Sequence, residues 1–513
     1  MRYYVQIDDM GFNDMGYSST DLTFATENMD RLSENGVILT KYYTQQSCTP
    51  ARVAFLTGRY PVNAGMGYDS RGSFTAVSPY GVPLDISLLP EYLTKVGYRC
   101  TIVGKWNIGH FEENYLPHKR GFETALTFQS DEMHYWNYTA EPRLEGFAPV
   151  DLLLGASGEP YQLATGFKGY STELFTKRAI EMIQLYPTDS RSMFLYVAYQ
   201  AVHVPHDMPP EPLYSIKEDH WKIENVSYEY RKHFGRTLIG VDKSVKRIAD
   251  ELNAANMMNT TYLVVASDNG GCPSDGSNNF PLRGGKFDMF EGGVRVPSFI
   301  YSPMLPESVW GTKNDNLFHV TDWLPTLHTI AAPTTALPPG LDGVNQLPGL
   351  VEGTSKSPPR KEVLLGLNRW DISPTYAPLA LHFDDVQASA MIYNNYKYIM
   401  GQVDRGHYDP AMHPARNCTC GIKTTPTYFY LFDLEEDPSE QNNLLDDLPD
   451  LAAYFKLKMR AYYNNAMKSH WKPPEMDVCI DAWSETGYIT PWHNPGGDVQ
   501  MKANETISNG TLS

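Results

Sequence analysis

Apolar and polar positions along this chain follow two successive patterns. Through the first two thirds, short apolar runs at 3–7, 99–103, 193–199, 261–266 and 296–301 read as buried strands. Between them, apolar residues recur at helical spacing near 50–57, 86–96, 173–185, 236–257 and 322–331. Such alternation predicts an α/β fold with a large, mostly parallel central sheet flanked by helices. The pattern changes after a Pro- and Gly-rich stretch from Pro333 to Pro359. Strand signals then follow at 362–367, 378–383, 389–393, 396–400 and 428–433, with Asn394-Asn395 as a tight turn and a helix from about 448 to 467. This second part reads as a smaller α+β domain built on an antiparallel sheet. The expected organisation is a large domain over 1–355, the smaller one over 356–475, and a C-terminal tail over 476–513 that wraps the surface or is mobile.

Length and charge narrow the picture. At 513 residues the chain exceeds the size at which one core stops growing, in keeping with two domains. A formal net charge of −18 argues against a broad basic surface for nucleic acid or anionic membrane, and no apolar run is long enough to span a bilayer. A few cations converging in one pocket still suffice to bind an anionic substrate. The cysteines are Cys48, Cys100, Cys272, Cys418, Cys420 and Cys479. If Cys48 is reserved for chemistry, five remain and cannot all pair, and Cys418 and Cys420 are too close together to pair comfortably. N-glycosylation patterns begin at Asn137, Asn225, Asn259, Asn417, Asn504 and Asn509. They point to a secreted or lysosomal/endomembrane protein. No apolar signal run precedes the first strand, which leaves a leader missing from this sequence or a protein that stays inside the cell, and the expectation is the missing leader.

Three segments add chemistry. Ile7-Asp8-Asp9-Met10-Gly11 places adjacent carboxylates directly after a strand, where ligands collect at the carboxyl edge of a parallel sheet. The two repel unless a hard cation holds them, and calcium takes oxygen ligands of this kind. Thr261 to Gly271 runs another strand into Asp268-Asn269; Asn269 offers a neutral carbonyl oxygen, and Gly270-Gly271 permit close backbone approach. Each alone is an ordinary turn, whereas two oxygen-rich strand ends in one sheet favour a shared divalent-metal site. The third segment runs from Cys48 to Arg59. Thr49 as N-cap, Pro50 at the first helical position and Gly58 past the end predict a short helix. Cys48 then precedes a helix N-terminus, where anions are favoured, with Arg52 about one turn on. Local chemistry alone suggests an activated thiolate.

The run Cys48-Thr49-Pro50-Ala51-Arg52, followed by Leu56-Thr57-Gly58-Arg59, closely resembles the signature of the type I sulfatases. Asp8-Asp9, Gly104-Lys105-Trp106, Gln200-Ala201-Val202-His203, Ser267 to Gly271 and Pro281 to Arg295 resemble further segments of that family, in its order. His319 to Leu327 and Leu431 to Leu444 resemble its C-terminal features. The similarity covers about residues 3 to 445 and is nearest to the arylsulfatase branch, including arylsulfatase B-like enzymes. It implies an alkaline phosphatase-like fold and a sulfuric ester hydrolase. It also implies that Cys48 is converted to formylglycine by a formylglycine-generating enzyme, and that the aldehyde hydrate is the nucleophile. Asp8, Asp9, Asp268 and Asn269, with the modified residue 48, would hold one calcium ion. Arg52 would orient the hydrate, Lys105 and Lys286 would grip the sulfate, and His203 would serve the leaving oxygen.

One position departs from the family pattern. Asn107 stands where the family usually has the histidine that takes a proton from the sulfated hydrate, and an amide cannot act as a base near neutral pH. His110, three residues on, is a candidate substitute, and His206 is a competitor for the role of His203. The departure keeps in view a binding protein that retains the fold; a phosphatase or phosphodiesterase of the same superfamily is a second alternative, against which Cys48 in its signature argues. Loops at 63–82, 131–170 and 370–390 are expected to line the mouth, leaving aryl, carbohydrate and small metabolite sulfates all open as substrates.

Overall fold

The computed structural model describes residues 1–66, 74–140, 146–186, 191–354, 358–367, 389–402 and 428–493. Its centre is a ten-stranded sheet. Five consecutive strands in the middle run parallel: Tyr262–Ser267, Arg2–Ile7, Ser192–Ala198, Tyr98–Lys105 and Thr124–Phe128. Antiparallel strands flank them. Ser298–Tyr301 joins Tyr262–Ser267 to Val37–Leu39, and Leu153–Ala156 lies beside Thr124–Phe128. Thr124–Phe128 escapes a search for apolar runs because it is five residues long and carries two threonines.

The central strands read as unbroken apolar runs because both faces are covered. Alternate residues point to opposite sides, so Tyr3, Val5, Ile7, Leu195, Val197, Leu263 and Val265 enter one core. Tyr4, Phe194, Tyr196, Val264 and Ala266 enter the other. The first core is closed by helices Ser171–Leu185 and Glu229–Ala254, which contribute Phe175, Ala179, Ile183, Leu238, Val241, Val245 and Leu252 at helical spacing. Helices Cys48–Thr57, Leu89–Lys95 and Trp323–Ala331 close the second. Every residue of Cys48–Thr57 is buried, so that helix lies inside the fold rather than on it.

A separate sheet follows, with Glu362–Gly366, Ser389–Tyr393, Tyr396–Gln402 and Tyr428–Asp433 antiparallel in sequence order. Asn394 turns at φ 53°, in the left-handed region expected of a tight Asn-Asn connection. One face packs Val363, Ile392, Ile399 and Phe432 against Met289, Phe290 and Val294 of the larger body. The other packs Leu364, Met391, Tyr398 and Leu431 against Phe455 and Met459 of helix Pro449–Asn465. The strand expected at 378–383 lies outside the described residues. The stretch expected to be a surface tail includes a helix, Met476–Ser484, whose Cys479 and Trp483 are buried with Val77, Phe111 and Trp492. Those two anchors lie one helical turn apart, a signal masked by surrounding Pro, Gly and Asn. Among the described residues no helix is long and apolar enough to cross a membrane.

Candidate functional site

Four parallel strands end at the same edge of the central sheet, and each passes there into polar residues. Arg2–Ile7 leads into Asp8-Asp9, Tyr98–Lys105 into Asn107, Ser192–Ala198 into His203, and Tyr262–Ser267 into Asp268-Asn269. Asp9 sits at φ 60° and turns the chain sharply after the carboxylate pair. The buried helix Cys48–Thr57 starts at this edge, and Gly58 closes it in the left-handed conformation at φ 63°. Its start differs from expectation. Ser47 is the N-cap and Cys48 the first helical residue, while Thr49 turns its hydroxyl sideways to donate to Asn107 Oδ1 and accept from Phe74 N. The tertiary partner outcompetes the local cap.

Lys286 arrives on the loop between Pro281 and Arg295. Gly270 N donates to Gly293 O at 2.9 Å and Lys286 N to Gly271 O at 3.0 Å. A Cβ on Gly270 would lie 1.9 Å from Gly292 O, so this close seating requires glycine.

Ligand atoms of Asp8, Asp9, Cys48 and Asp268 all lie within 4.8 Å of one another, and all four residues are buried. Cations surround them. Lys105 Nζ is 2.6 Å from Asp8 Oδ2, Lys286 Nζ is 2.7 Å from Asp9 Oδ2, and Arg52 Nη2 is 2.7 Å from Asp268 Oδ2 and 3.5 Å from Asp8. Burial alone would raise Asp8, but Lys105 and Arg52 beside it hold its carboxyl well below the usual carboxylate range. Burial, reinforced by Asp8, pushes Asp268 up to about 7. Asn269 Nδ2 donates to Asp9 Oδ1 at 2.7 Å and to Gly270 O at 2.9 Å, while its Oδ1 is buried without a hydrogen-bond partner. Three converging carboxylates beside an orphaned amide oxygen form an all-oxygen donor set suited to a hard divalent cation such as calcium.

The thiol of Cys48 donates to Asp8 Oδ1 at 3.1 Å. Burial and then the Asp8 charge push it well above the ordinary thiol range. The activated thiolate suggested by helix position is therefore not what this pocket favours, because burial, reinforced by the Asp8 charge, outweighs the helix N-terminus.

His203 donates from Nδ1 to Val204 O at 2.8 Å and receives Lys286 Nζ at Nε2, 2.9 Å away; Nε2 also lies 3.5 Å from Asp9. His206 is partly buried, bonded to Val202 O, packed on Phe234 and lowered to about 4, chiefly by burial. His110 is turned away too. Its Nε2 bonds Ala76 O at 2.9 Å, its ring packs against Trp492, and burial lowers it to about 4. It does not stand in for the missing base. Asn107, at φ 53°, spends its amide on Thr49 and on Phe74 O, joining the strand end to the helix start.

The structure thus gathers Asp8, Asp9, Cys48, Arg52, Lys105, His203, Asp268, Asn269 and Lys286 into one site, with Asn107 behind Thr49. Sequence reasoning missed Glu132, whose carboxylate lies 3.7 Å from His203 Nδ1. The only signal for it was the acidic pair Asp131-Glu132 at the start of a loop expected to line the mouth.

The family model for Sulfatase matches residues 3–332. Arylsulfatase J of Mus musculus is 29% identical over 491 residues, covering 92% of this chain and 77% of that protein. Arylsulfatase A of Bos taurus is 29% identical over 470 residues, covering 87% of this chain and 83% of that protein. Among solved structures, Ps i-CgsB in complex with k-i-k-neocarrahexaose shares the fold, with a TM-score of 0.73 and 24% identity over 94% of this chain and 96% of that chain.

Proposed function

This chain belongs to the sulfatase family and is a sulfate-ester hydrolase, and we propose that its reaction runs on a formylglycine made from Cys48 beside one calcium ion held by Asp8, Asp9, Asp268 and Asn269. The observation that carries this reading is the convergence of Cys48 with three buried carboxylates and an orphaned amide oxygen, ringed by two lysines and an arginine. A buried, protonated thiol is a poor nucleophile, whereas the hydrated aldehyde of a formylglycine offers a hydroxyl oxygen at the same place. When bound, the cation supplies Lewis-acid polarisation and offsets the carboxylates.

The chain's own groups do the rest. Arg52, clasped between Asp8 and Asp268, fixes the first turn of the helix that carries residue 48. Lys105 and Lys286 stand on either carboxylate of the Asp8-Asp9 pair, and an entering sulfate draws their ammonium groups onto its oxygens. With its Nδ1 tied to Val204 O, His203 directs Nε2 towards Lys286, and the proton shared there serves the departing ester oxygen. Asn107 positions rather than titrates, and no histidine replaces it among the described neighbours, since His110 faces elsewhere. Asn107 accordingly offers no base for release of the sulfate group.

The secretory route is also part of this reading. Asn137, Asn225 and Asn259, the three glycosylation candidates among the described residues, are all exposed, and Cys272 is disulfide-bonded.

The test is expression with and without a formylglycine-generating enzyme, followed by aryl sulfate and aryl phosphate assays and mass spectrometry of the peptide containing residue 48. We expect sulfate hydrolysis to rise with the converted fraction. Full activity in wholly unmodified protein would overturn the nucleophile, and faster phosphate cleavage would favour the phosphatase alternative.

A further inference from the structure

The loop carrying Lys286 is held from two directions. On the side of the central sheet, Lys286 N donates to Gly271 O at 3.0 Å and Phe287 N to Gln46 O at 2.7 Å. On the other side its two ends are bound by one residue of the second body. Glu440 Oε2 accepts from Glu291 N at 2.6 Å, and Glu440 O accepts from Arg283 Nη1 at 2.9 Å. Arg283 also lies over the Phe290 ring, 4.1 Å from its centroid. Lys397, on strand Tyr396–Gln402, completes the connection. Its Nζ is 3.0 Å from Glu291 Oε1 and 2.9 Å from Glu440 Oε1, and all three side chains are fully buried. The remaining oxygen of Glu291 accepts from Tyr43 Oη at 2.8 Å and lies 3.5 Å from Arg295.

Two carboxylates and one ammonium buried together are weak evidence for stability, because an apolar cluster of the same volume usually does as well. What distinguishes this arrangement is its target: it grips residues 283 and 291, the two ends of the short loop whose middle bears Lys286. Between those grips the loop has little freedom to slide.

We propose that Lys397 and Glu440 are positioning residues for Lys286, through which the four-stranded sheet sets how the central-sheet pocket grips the sulfate group. This rests on the reading of Lys286 as a sulfate-binding residue. A shift of about 1 Å in a charged contact is enough to cost up to a hundredfold in rate.

The experiment measures inorganic sulfate affinity, and kcat and KM towards an aryl sulfate, for the calcium-loaded enzyme and for Lys397→Met, Lys397→Arg and Glu440→Gln. Glu362→Gln is the control, since Glu362 lies in the same sheet but pairs with Lys458 and Tyr462, away from the loop. Lys397→Met and Glu440→Gln are expected to weaken sulfate binding and raise KM by about tenfold, equivalent to ~1.4 kcal/mol. Glu362→Gln lowers Tm alone, and Lys397→Arg recovers most of the affinity. In a Lys286→Ala background, Lys397→Met should weaken sulfate no further. Sulfate affinity within twofold of the parent for Lys397→Met and Glu440→Gln overturns the proposal, as does an undiminished loss in the Lys286→Ala background. If Lys397→Met does not fold, Glu440→Gln carries the same comparison. If Lys286→Ala itself binds sulfate normally, the reading of Lys286 fails instead, and that result is visible separately.

Discussion

Replacing Lys105 with Met removes a positive charge from a place where water does not reach its partner. Lys105 Nζ is 2.6 Å from Asp8 Oδ2 and both side chains are fully buried. Removing one member of such a pair typically costs ~3–5 kcal/mol, because the other is left charged and desolvated. Arg52 stays 3.5 Å from the same oxygen, so the lower end, ~3 kcal/mol, is the expectation in a calcium chelator. If Asp8 also ligates calcium, saturating calcium compensates part of the lost charge, and the penalty shrinks. The kinetic effect is separate: losing one donor to the sulfate group should lower kcat/KM by about 10²–10³ whether or not stability recovers. Denaturant unfolding with EGTA and with calcium, alongside aryl sulfate kinetics, gives both numbers. An equal stability loss in the two buffers would place calcium away from Asp8. Unchanged kcat/KM would remove Lys105 from the sulfate grip.

Other consequences follow from the same geometry. Asn107→His restores a base behind Thr49 and should raise kcat in a calcium-loaded, formylglycine-bearing enzyme while leaving sulfate affinity near its parent value; a fall in kcat would show that the Asn107 bonds to Thr49 and Phe74 matter more than a base. Chelation should lower Tm reversibly, calcium at a hundredfold excess over its Kd restoring ~2.7 kcal/mol, and Asn269→Ala should raise the calcium concentration required; a Tm indifferent to chelator refutes the metal site. His110 is buried and lowered from 6.5 to about 4, so the fold favours its neutral form. Its contribution is complete above about pH 6.5 and is lost as pH falls towards 4, ~3 kcal/mol in all, so His110→Gln should flatten the pH dependence of stability across that window. A parallel pH profile for the two proteins would show that His110 is not the group that titrates.

Much of the site was legible because its main parts are local. A strand such as Tyr262–Ser267 must be apolar on both faces, so the abrupt change to Asp268-Asn269 marks where it leaves the sheet. The same holds for Ile7 and Asp8, and a parallel sheet brings all such exits to one edge. Cys48 and Arg52, four residues apart, share a helix face whatever else surrounds them. Capping was less secure, since the Thr49 hydroxyl had a distant competitor in Asn107 that no local rule weighs.

What the amino-acid order settled by itself was periodicity and adjacency: where the long apolar strands such as Arg2–Ile7 and Tyr262–Ser267 run and end, and which charged groups stand at those ends. Tertiary structure decided everything that depends on residues far apart in the chain meeting in a space without water. The Cys48 thiol is driven towards its protonated form first by burial and then by the charge of Asp8, 3.1 Å away and forty residues distant in sequence. His110 and His206 are removed from the chemistry by packing against Trp492 and Phe234. Lys397 reaches Glu291 across 106 positions. In such surroundings the energy of a charge depends on its neighbours within a few ångströms, and only the folded chain selects them.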